Sequence, residues 1–298
     1  MKQKAVIFDL DGTLIDSLED LANSVNQALE ENNYPTHQLE EYKYFIGDGA
    51  KILIKRAIKK DVSEEEVEKL HTRFKEIYKD KIDSKTKVYD GVYELLEKLE
   101  KQNYKKAILS NKPDIFTQAC VQKFFKDFDF VNISGQKKDI PKKPHPQAAI
   151  NIASELQAKP SEVFFVGDTK VDMQTAKSAG MTAIGVLWGF RDEKELKDNG
   201  ADFIVKTMNE LYEILTSDPY IPIACHFYDE MESAAVKRVK NSITYFDENV
   251  EKIVEDYLID FKIINKIEYA ILKEGLKIRL DRITDFNGLK PENYGCSV

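Results

Sequence analysis

The feature that most narrows the fold is a short apolar run, Lys4-Ala5-Val6-Ile7-Phe8, ending in two carboxylates one residue apart, Asp9 and Asp11, and then Gly12-Thr13. Such a run reads as a buried strand. Alternation along an extended chain points Asp9 and Asp11 to the same side. Two anions that close repel by roughly 4 kcal/mol at an effective dielectric near 20. A hard divalent cation with oxygen ligands relieves that repulsion. Asp-Gly-Thr also makes a good polar turn, so this segment alone leaves both readings open.

With 298 residues, the chain has room for one large α/β domain and a second, smaller one. A net charge of -8 argues against a broad nucleic-acid-binding surface. Cys120, Cys225 and Cys296 show no metal-ligand spacing and read as free thiols of a reducing compartment. The chain passes from Met1 straight into the first strand without a signal peptide, and no apolar run approaches the ~20 residues of a membrane span. Cys296 is third from the end, which excludes the prenylation pattern. The expectation is a cytoplasmic protein.

From Ser17 to about Lys85 the pattern is helical. Leu18, Leu21, Ala22, Val25, Ala28 and Leu29 form an amphipathic stripe before Pro35, Thr36 is placed to cap the next helix, and Ser63-Glu64-Glu65-Glu66 opens another. Strand and helix then alternate. Strands are expected at 107–110, 128–131, 163–166, 182–186 and 203–205, and helices at 113–124, 146–156, 169–179 and 209–215. This is the pattern of a doubly wound parallel sheet, whose sites lie beyond the carboxyl ends of the strands. Beyond Thr216-Ser217-Asp218-Pro219 come a helix over 228–239 and β-like runs at 242–246, 253–261, 268–272 and 276–279, which suggest a small antiparallel sheet or barrel.

Three further groups fall at expected strand ends. Ser110-Asn111-Lys112 offers a hydroxyl and an amide where a phosphate oxygen could be held, although both residues are also good helix caps. Lys142-Lys143-Pro144-His145-Pro146 offers a cation at a rigid turn, and equally reads as a solvated basic loop. Gly167-Asp168-Thr169-Lys170-Val171-Asp172 brings two acids to the opening turn of a helix, where the dipole favours them in any case.

The combination FDLDGTLIDS (8–17), SNK (110–112), KPHP (143–146), GDTKVDMQTAKSAGM (167–181) and GVLWGF (185–190) resembles the haloacid dehalogenase-like hydrolases, within them the phosphoglycolate-phosphatase-like group with an inserted helical cap. The resemblance runs from residue 1 to about 216. It implies a Rossmann-like core over 1–16 and 86–216 and a cap over 17–85. It also implies Asp9 as phosphoryl-accepting nucleophile and Asp11 as general acid, then base. By the same resemblance Asp9, Asp168 and the backbone carbonyl of Asp11 hold Mg²⁺, while Asp172 supports the metal shell or pairs with Lys143. Ser110 and Lys143, with backbone amides near Asn111, bind phosphate. The Lys-Pro match favours Lys143 over Lys142. Gly47-Asp48-Gly49 is the cap loop expected to reach the site, though a tight turn explains its glycines equally well. Met173, Ala176 and Ala179 read as core packing, Trp188 as a core or loop aromatic, and none of the four histidines is given a catalytic role.

The tail resembles a second family, the small Rho-binding antiterminator (Rof) proteins. The match rests on YIPIACHFYDEMESAA (220–235), SITYF (242–246), VEDYLIDF (254–261) and KIRLDRIT (277–284). It implies an Sm-like bent barrel with an N-terminal helix over 219–298, and a protein partner such as the termination factor Rho. Residues 220–298 carry 11 basic and 14 acidic side chains, which suits a basic protein surface better than direct contact with RNA. Self-association or a purely structural role is the bland alternative.

The expected function is Mg²⁺-dependent hydrolysis of a small phosphorylated metabolite, 2-phosphoglycolate-like, through an aspartyl-phosphate. A pyrophosphatase or nucleotidase could use the same core. A phosphosugar mutase fits the Gly-Thr after the acid pair less well. A non-enzymatic alternative is a regulator whose core senses a phosphorylated ligand and whose tail contacts a partner.

Overall fold

The computed structural model describes residues 5–216, 223–247, 250–264 and 267–291. The segment around the expected domain boundary, the opening Tyr220-Ile221-Pro222 of the tail motif, and Cys296 lie outside the described residues. The chain divides into two compact units, Met1–Leu215 and Thr216–Val298.

The first unit is built on six parallel strands: β1 (Ala5–Phe8), β4 (Lys105–Pro113), β5 (Asn132–Gln136), β6 (Val163–Gly167), β7 (Thr182–Val186) and β8 (Phe203–Val205). Their order is β5-β4-β1-β6-β7-β8, so β1 lies between β4 and β6. All four residues of β1 are buried because both faces of the sheet are covered. With a side-chain period of two, Val6 and Phe8 join one core with α5 (Val92–Lys101), α6 (Asp114–Phe124) and α10 (Met208–Thr216). Ala5 and Ile7 join the other, with α7 (Gln147–Glu155), α8 (Lys170–Ala179) and α9 (Glu193–Asp198). Met173, Ala176 and Ala179 are buried in this second core.

The cap is bracketed by a two-stranded ribbon in which β2 (Ile15–Asp16) pairs antiparallel with β3 (Lys87–Val88). Between them run α1 (Leu18–Glu30), α2 (Leu39–Phe45), α3 (Ala50–Ile58) and α4 (Glu64–Lys81). The stripe Leu18, Leu21, Ala22, Val25, Ala28, Leu29 is buried against α3 and α4, with Phe116 and Phe190 inserted from the core side. At the base of the cap, the buried carboxylate of Asp20 accepts the backbone N–H groups of Lys85 and Thr86 and the Thr86 hydroxyl, at 2.7–3.0 Å. It ties the outgoing and returning chains together.

The structure corrects several local expectations. Residues 128–131 are not a strand. Phe128 and Phe130 pack on Phe125 and its core, and the edge strand begins at Asn132, where Asn132-Ile133 pairs with Ala107-Ile108. Aromatic content there serves packing, and an edge strand with one neighbour needs little of it. Helix α2 is capped by Gln38 rather than Thr36, and the Glu41 carboxylate accepts the Gln38 N–H at 3.0 Å. The strand expected over 107–110 continues through Asn111 and Lys112 to Pro113.

The second unit contains helix α11 (Cys225–Lys237) and strands β9 (Lys240–Asp247), β10 (Val250–Ile264), β11 (Ile267–Leu272), β12 (Lys277–Arg279) and β13 (Ile283–Phe286), the last not anticipated as a strand. They form one antiparallel sheet in the order β12-β11-β10-β9-β13, open between β12 and β13 among the described residues. A 3₁₀ turn, Leu280–Arg282, joins β12 to β13. Phe227, Met231, Ile243, Leu258, Leu272 and Phe286 form its core. Among the described residues no helix is long and apolar enough to cross a membrane.

Candidate active site

The strand order sets the site. Asp9 and Asp11 follow β1, Ser110 to Lys112 end β4, Asp168 and Asp172 follow β6, and the loop after β5 brings in Lys143. These ends converge where the chain reverses its direction of travel across the sheet, the place at which open α/β sheets form sites. Asp9 extends the strand pairing by donating its N–H to the carbonyl of Val166 at 2.9 Å. Gly12 has a φ of +85°, and a Cβ there would fall 2.3 Å from an oxygen of Asp168. Only a glycine permits both the turn and the close approach. Asp168 is completely buried, accepting the Phe190 N–H at 2.8 Å and the Thr13 hydroxyl at 3.4 Å. The Trp188 indole donates to the Thr13 carbonyl at 3.0 Å, so this aromatic pins the loop after β7 to the loop after β1.

Lys143 is the central cation. Its ammonium lies 2.6 Å from Oδ1 of Asp172 and 2.9 Å from Oδ1 of Asp9. Oδ1 of Asp9 is buried, with this ammonium as its charged neighbour. Burial pushes the Asp9 carboxyl up to about 7; Lys143 opposes the shift, while Asp172 and Asp11 add to it. Burial, then Asp172 and Asp9, push Asp168 well above the usual carboxylate range. Burial works against charge on Lys143, but Asp172 and Asp9 outweigh it and hold its ammonium above the ordinary lysine value.

Asp11 faces a different set of donors. The Ser17 hydroxyl donates to its Oδ1 at 2.5 Å, and the Lys112 ammonium sits 2.8 Å and 3.1 Å from its two oxygens. Lys112 also donates to the hydroxyl of Tyr78, on cap helix α4, at 2.7 Å. Nothing in the sequence pattern assigns Lys112 a task. Its burial beneath a cap aromatic has no local signal, because Tyr78 is 34 residues distant.

The other expected residues divide as follows. Ser110 is buried at the cleft, its hydroxyl accepting the Lys112 N–H at 3.3 Å. The Asn111 amide side chain is a clamp: it donates to the carbonyls of Gly47 at 3.1 Å and Lys143 at 3.0 Å and accepts the Lys143 N–H. Its side chain thus ties β4 to the cap loop and to the loop that carries Lys143. Lys142 points away from Asp9 and donates to the Asp48 carbonyl at 2.5 Å. Gly47 and Gly49 line the cleft, whereas the Asp48 carboxylate turns to Arg56 at 2.5 Å. Arg191, which the sequence reading missed, donates to the carbonyl of Ile46 at 2.9 Å and to that of Lys43. Core side chains thus grip the cap loop by its backbone carbonyls.

The residues fit a hard cation. Asp9, Asp168 and Asp172 are all buried and offer oxygen atoms within 4.8 Å of one another. Both Asp172 oxygens are taken, one by Lys143 and the other by the Thr169 N–H and hydroxyl. Asp9, Asp168 and Asp172 together make an all-oxygen donor set of the kind a hard cation takes.

Residues 6–186 match the family model of the haloacid dehalogenase-like hydrolases. The chain is 34% identical over 219 residues to the phosphoglycolate phosphatase of Mannheimia succiniciproducens, covering 71% of this chain and 98% of that protein. It is 33% identical over 218 residues to that of Vibrio parahaemolyticus, with 71% and 96% covered. Among solved structures, one from Lactobacillus delbrueckii subsp. bulgaricus, assigned as a phosphoglycolate phosphatase, is similar with a TM-score of 0.68 and 31% identity, over 73% of this chain and all of that one.

Proposed function

The chain belongs to the haloacid dehalogenase-like hydrolases and is a phosphatase of the phosphoglycolate-phosphatase-like kind, and from that premise we propose that it hydrolyses a small phosphomonoester, 2-phosphoglycolate-like, through an aspartyl-phosphate on Asp9. The observation that carries this reading is Asp9 lining the cleft with the Lys143 ammonium 2.9 Å from its Oδ1. A nucleophile must reach the substrate, and a cation beside it offsets repulsion from an anionic phosphoryl group. The cleft between cap and core is about 50 Å³, against the ~10–15 Å³ one water occupies on that measure.

Asp9 and Asp168, with the Asp11 carbonyl, are the proposed holders of Mg²⁺, which when bound would neutralise charge on the transferring phosphoryl oxygens. Asp172 holds Lys143 in place and stands outside the metal's direct ligands. In the proposed first step an oxygen of Asp9 bonds to phosphorus, the ester P–O bond breaks, and the leaving oxygen takes a proton from Asp11. In the second, water attacks phosphorus and gives a proton to Asp11, the bond to Asp9 breaks, and phosphate departs. Ser110 and Lys143 hold the phosphoryl oxygens throughout.

For the second unit we propose an Sm-like bent barrel of the Rof type that contacts a protein partner, a Rho-like factor or a second copy. Its support is the helix followed by five antiparallel strands, with a 3₁₀ turn before the last. Phosphate release across 2-phosphoglycolate, pyrophosphate, nucleoside monophosphates and sugar phosphates, with Mg²⁺ and with EDTA, tests the enzymatic reading. Turnover on none of them would overturn it. Co-elution of the full chain with purified Rho, against its elution alone, tests the tail.

A further inference from the structure

We infer that Lys112 is a positioning residue for Asp11, and that Tyr78 of the cap completes its setting. The proton-transfer group is then held from both the core and the cap. This inference rests on the phosphatase reading above.

An ammonium has three donors and no acceptor. In Lys112 they meet both oxygens of Asp11 and the hydroxyl of Tyr78. The Lys112 head is almost wholly buried, so none of these contacts is shared with bulk water. Such an ammonium cannot drift without leaving a charge unpaired, and it fixes the carboxylate that it grips. Tyr78 is itself fixed. Its ring stacks on Phe74 with centroids 5.5 Å apart and meets the edge of Phe116, a core residue, at 5.2 Å. Ser17 supplies the remaining contact to Asp11 from the residue that precedes the first cap helix. Asp11 and Tyr78 both line the cleft, so the grip lies at the leaving-group side rather than in the sheet core.

The consequence concerns one step. Asp11, once protonated in the substrate complex, donates that proton as the ester bond breaks, and a misplaced Asp11 penalises leaving groups that need it. An alkoxide leaving group needs it, whereas p-nitrophenolate departs largely unaided. A merely structural Lys112 would affect both alike.

The test compares kcat/KM of the full-length chain with Mg²⁺ on ethyl phosphate and on p-nitrophenyl phosphate. Lys112→Met is expected to lose ~100-fold on ethyl phosphate and less than ~10-fold on p-nitrophenyl phosphate, within the range of general acid contributions. Tyr78→Phe keeps the ring and removes only the hydroxyl, and stays informative if Lys112→Met fails to fold. It is expected to lose ~10-fold on ethyl phosphate and to be unchanged on the aryl ester. Equal losses on the two esters, or no loss, overturn the inference while leaving the phosphatase reading intact. Absence of turnover by the wild-type chain overturns the phosphatase reading, and the inference with it.

Discussion

Lys143 stands 2.9 Å from Asp9, and the two are held as a buried ion pair at the point where β1 ends. The same ammonium is anchored 2.6 Å from Asp172, so its position is set by a residue outside the pair. Asp9 itself lines the cleft between cap and core. A fixed cation beside a carboxylate that opens to the cleft is the arrangement a phosphoryl acceptor requires.

Asp9→Asn should abolish phosphate release, with a loss of at least ~10³-fold on the best substrate. Because it removes a buried carboxyl, its metal-free melting temperature should equal or exceed that of the wild type. Activity and thermal melts on one preparation check both parts. Retained turnover would place the nucleophile elsewhere.

Lys143→Met removes a cation shared by two buried acids. Truncating one partner of a buried pair typically destabilises by about 3–5 kcal/mol. Urea unfolding should show a loss of that order, alongside loss of activity. A stability change under ~1 kcal/mol would mean that the pair is screened by water and not buried as described.

Without metal, stability should fall as pH rises from about 4 through about 7. The folded-state Asp9 carboxyl sits at about 7, above its ordinary 3.8, and Asp168 is raised as well. The folded state therefore binds more protons than the unfolded state across that window, and linkage makes stability decrease with pH there. Melts in EDTA from pH 4 to 8, compared with Asp168→Asn, isolate the effect from surface carboxylates. The variant should show a shallower decline, and added Mg²⁺ should stabilise the wild type more at pH 7.5 than at pH 5.

Arg191→Ala should loosen the cap loop, because its guanidinium holds the carbonyls of Ile46 and Lys43. KM is expected to rise ~10-fold with kcat within about threefold, the signature of lost uniform binding. Hydrogen exchange over residues 46–53 should quicken in parallel. Unchanged KM and exchange would show the loop to be held without it.

Much of the site was legible because strand ends advertise themselves. Val6-Ile7-Phe8 ending at Asp9 and Phe164-Phe165-Val166 ending at Gly167-Asp168 are apolar runs that stop at acids, and doubly wound sheets gather such ends. Lys143 was distinguishable from Lys142 only through a resemblance. In the structure one turns to Asp9 and the other to the Asp48 carbonyl. Phe128-Asp129-Phe130-Val131 misled because β-propensity records a fit to a half-buried surface, which aromatic packing beside a strand also supplies.

By itself the sequence determined the parallel sheet, the helical insert after the first strand, and which acids lie at the strand ends, because these follow from periodicities of two and 3.6 and from local turn chemistry. Tertiary structure alone decided that Lys112 grips Asp11 beneath Tyr78, that Asn111 clamps Gly47, and that Arg191 holds the cap loop. Each of those contacts joins residues far apart in the chain. No local pattern encodes where one packed helix or loop sets a side chain against another; that is fixed only when the cap and the sheet bury their apolar faces together.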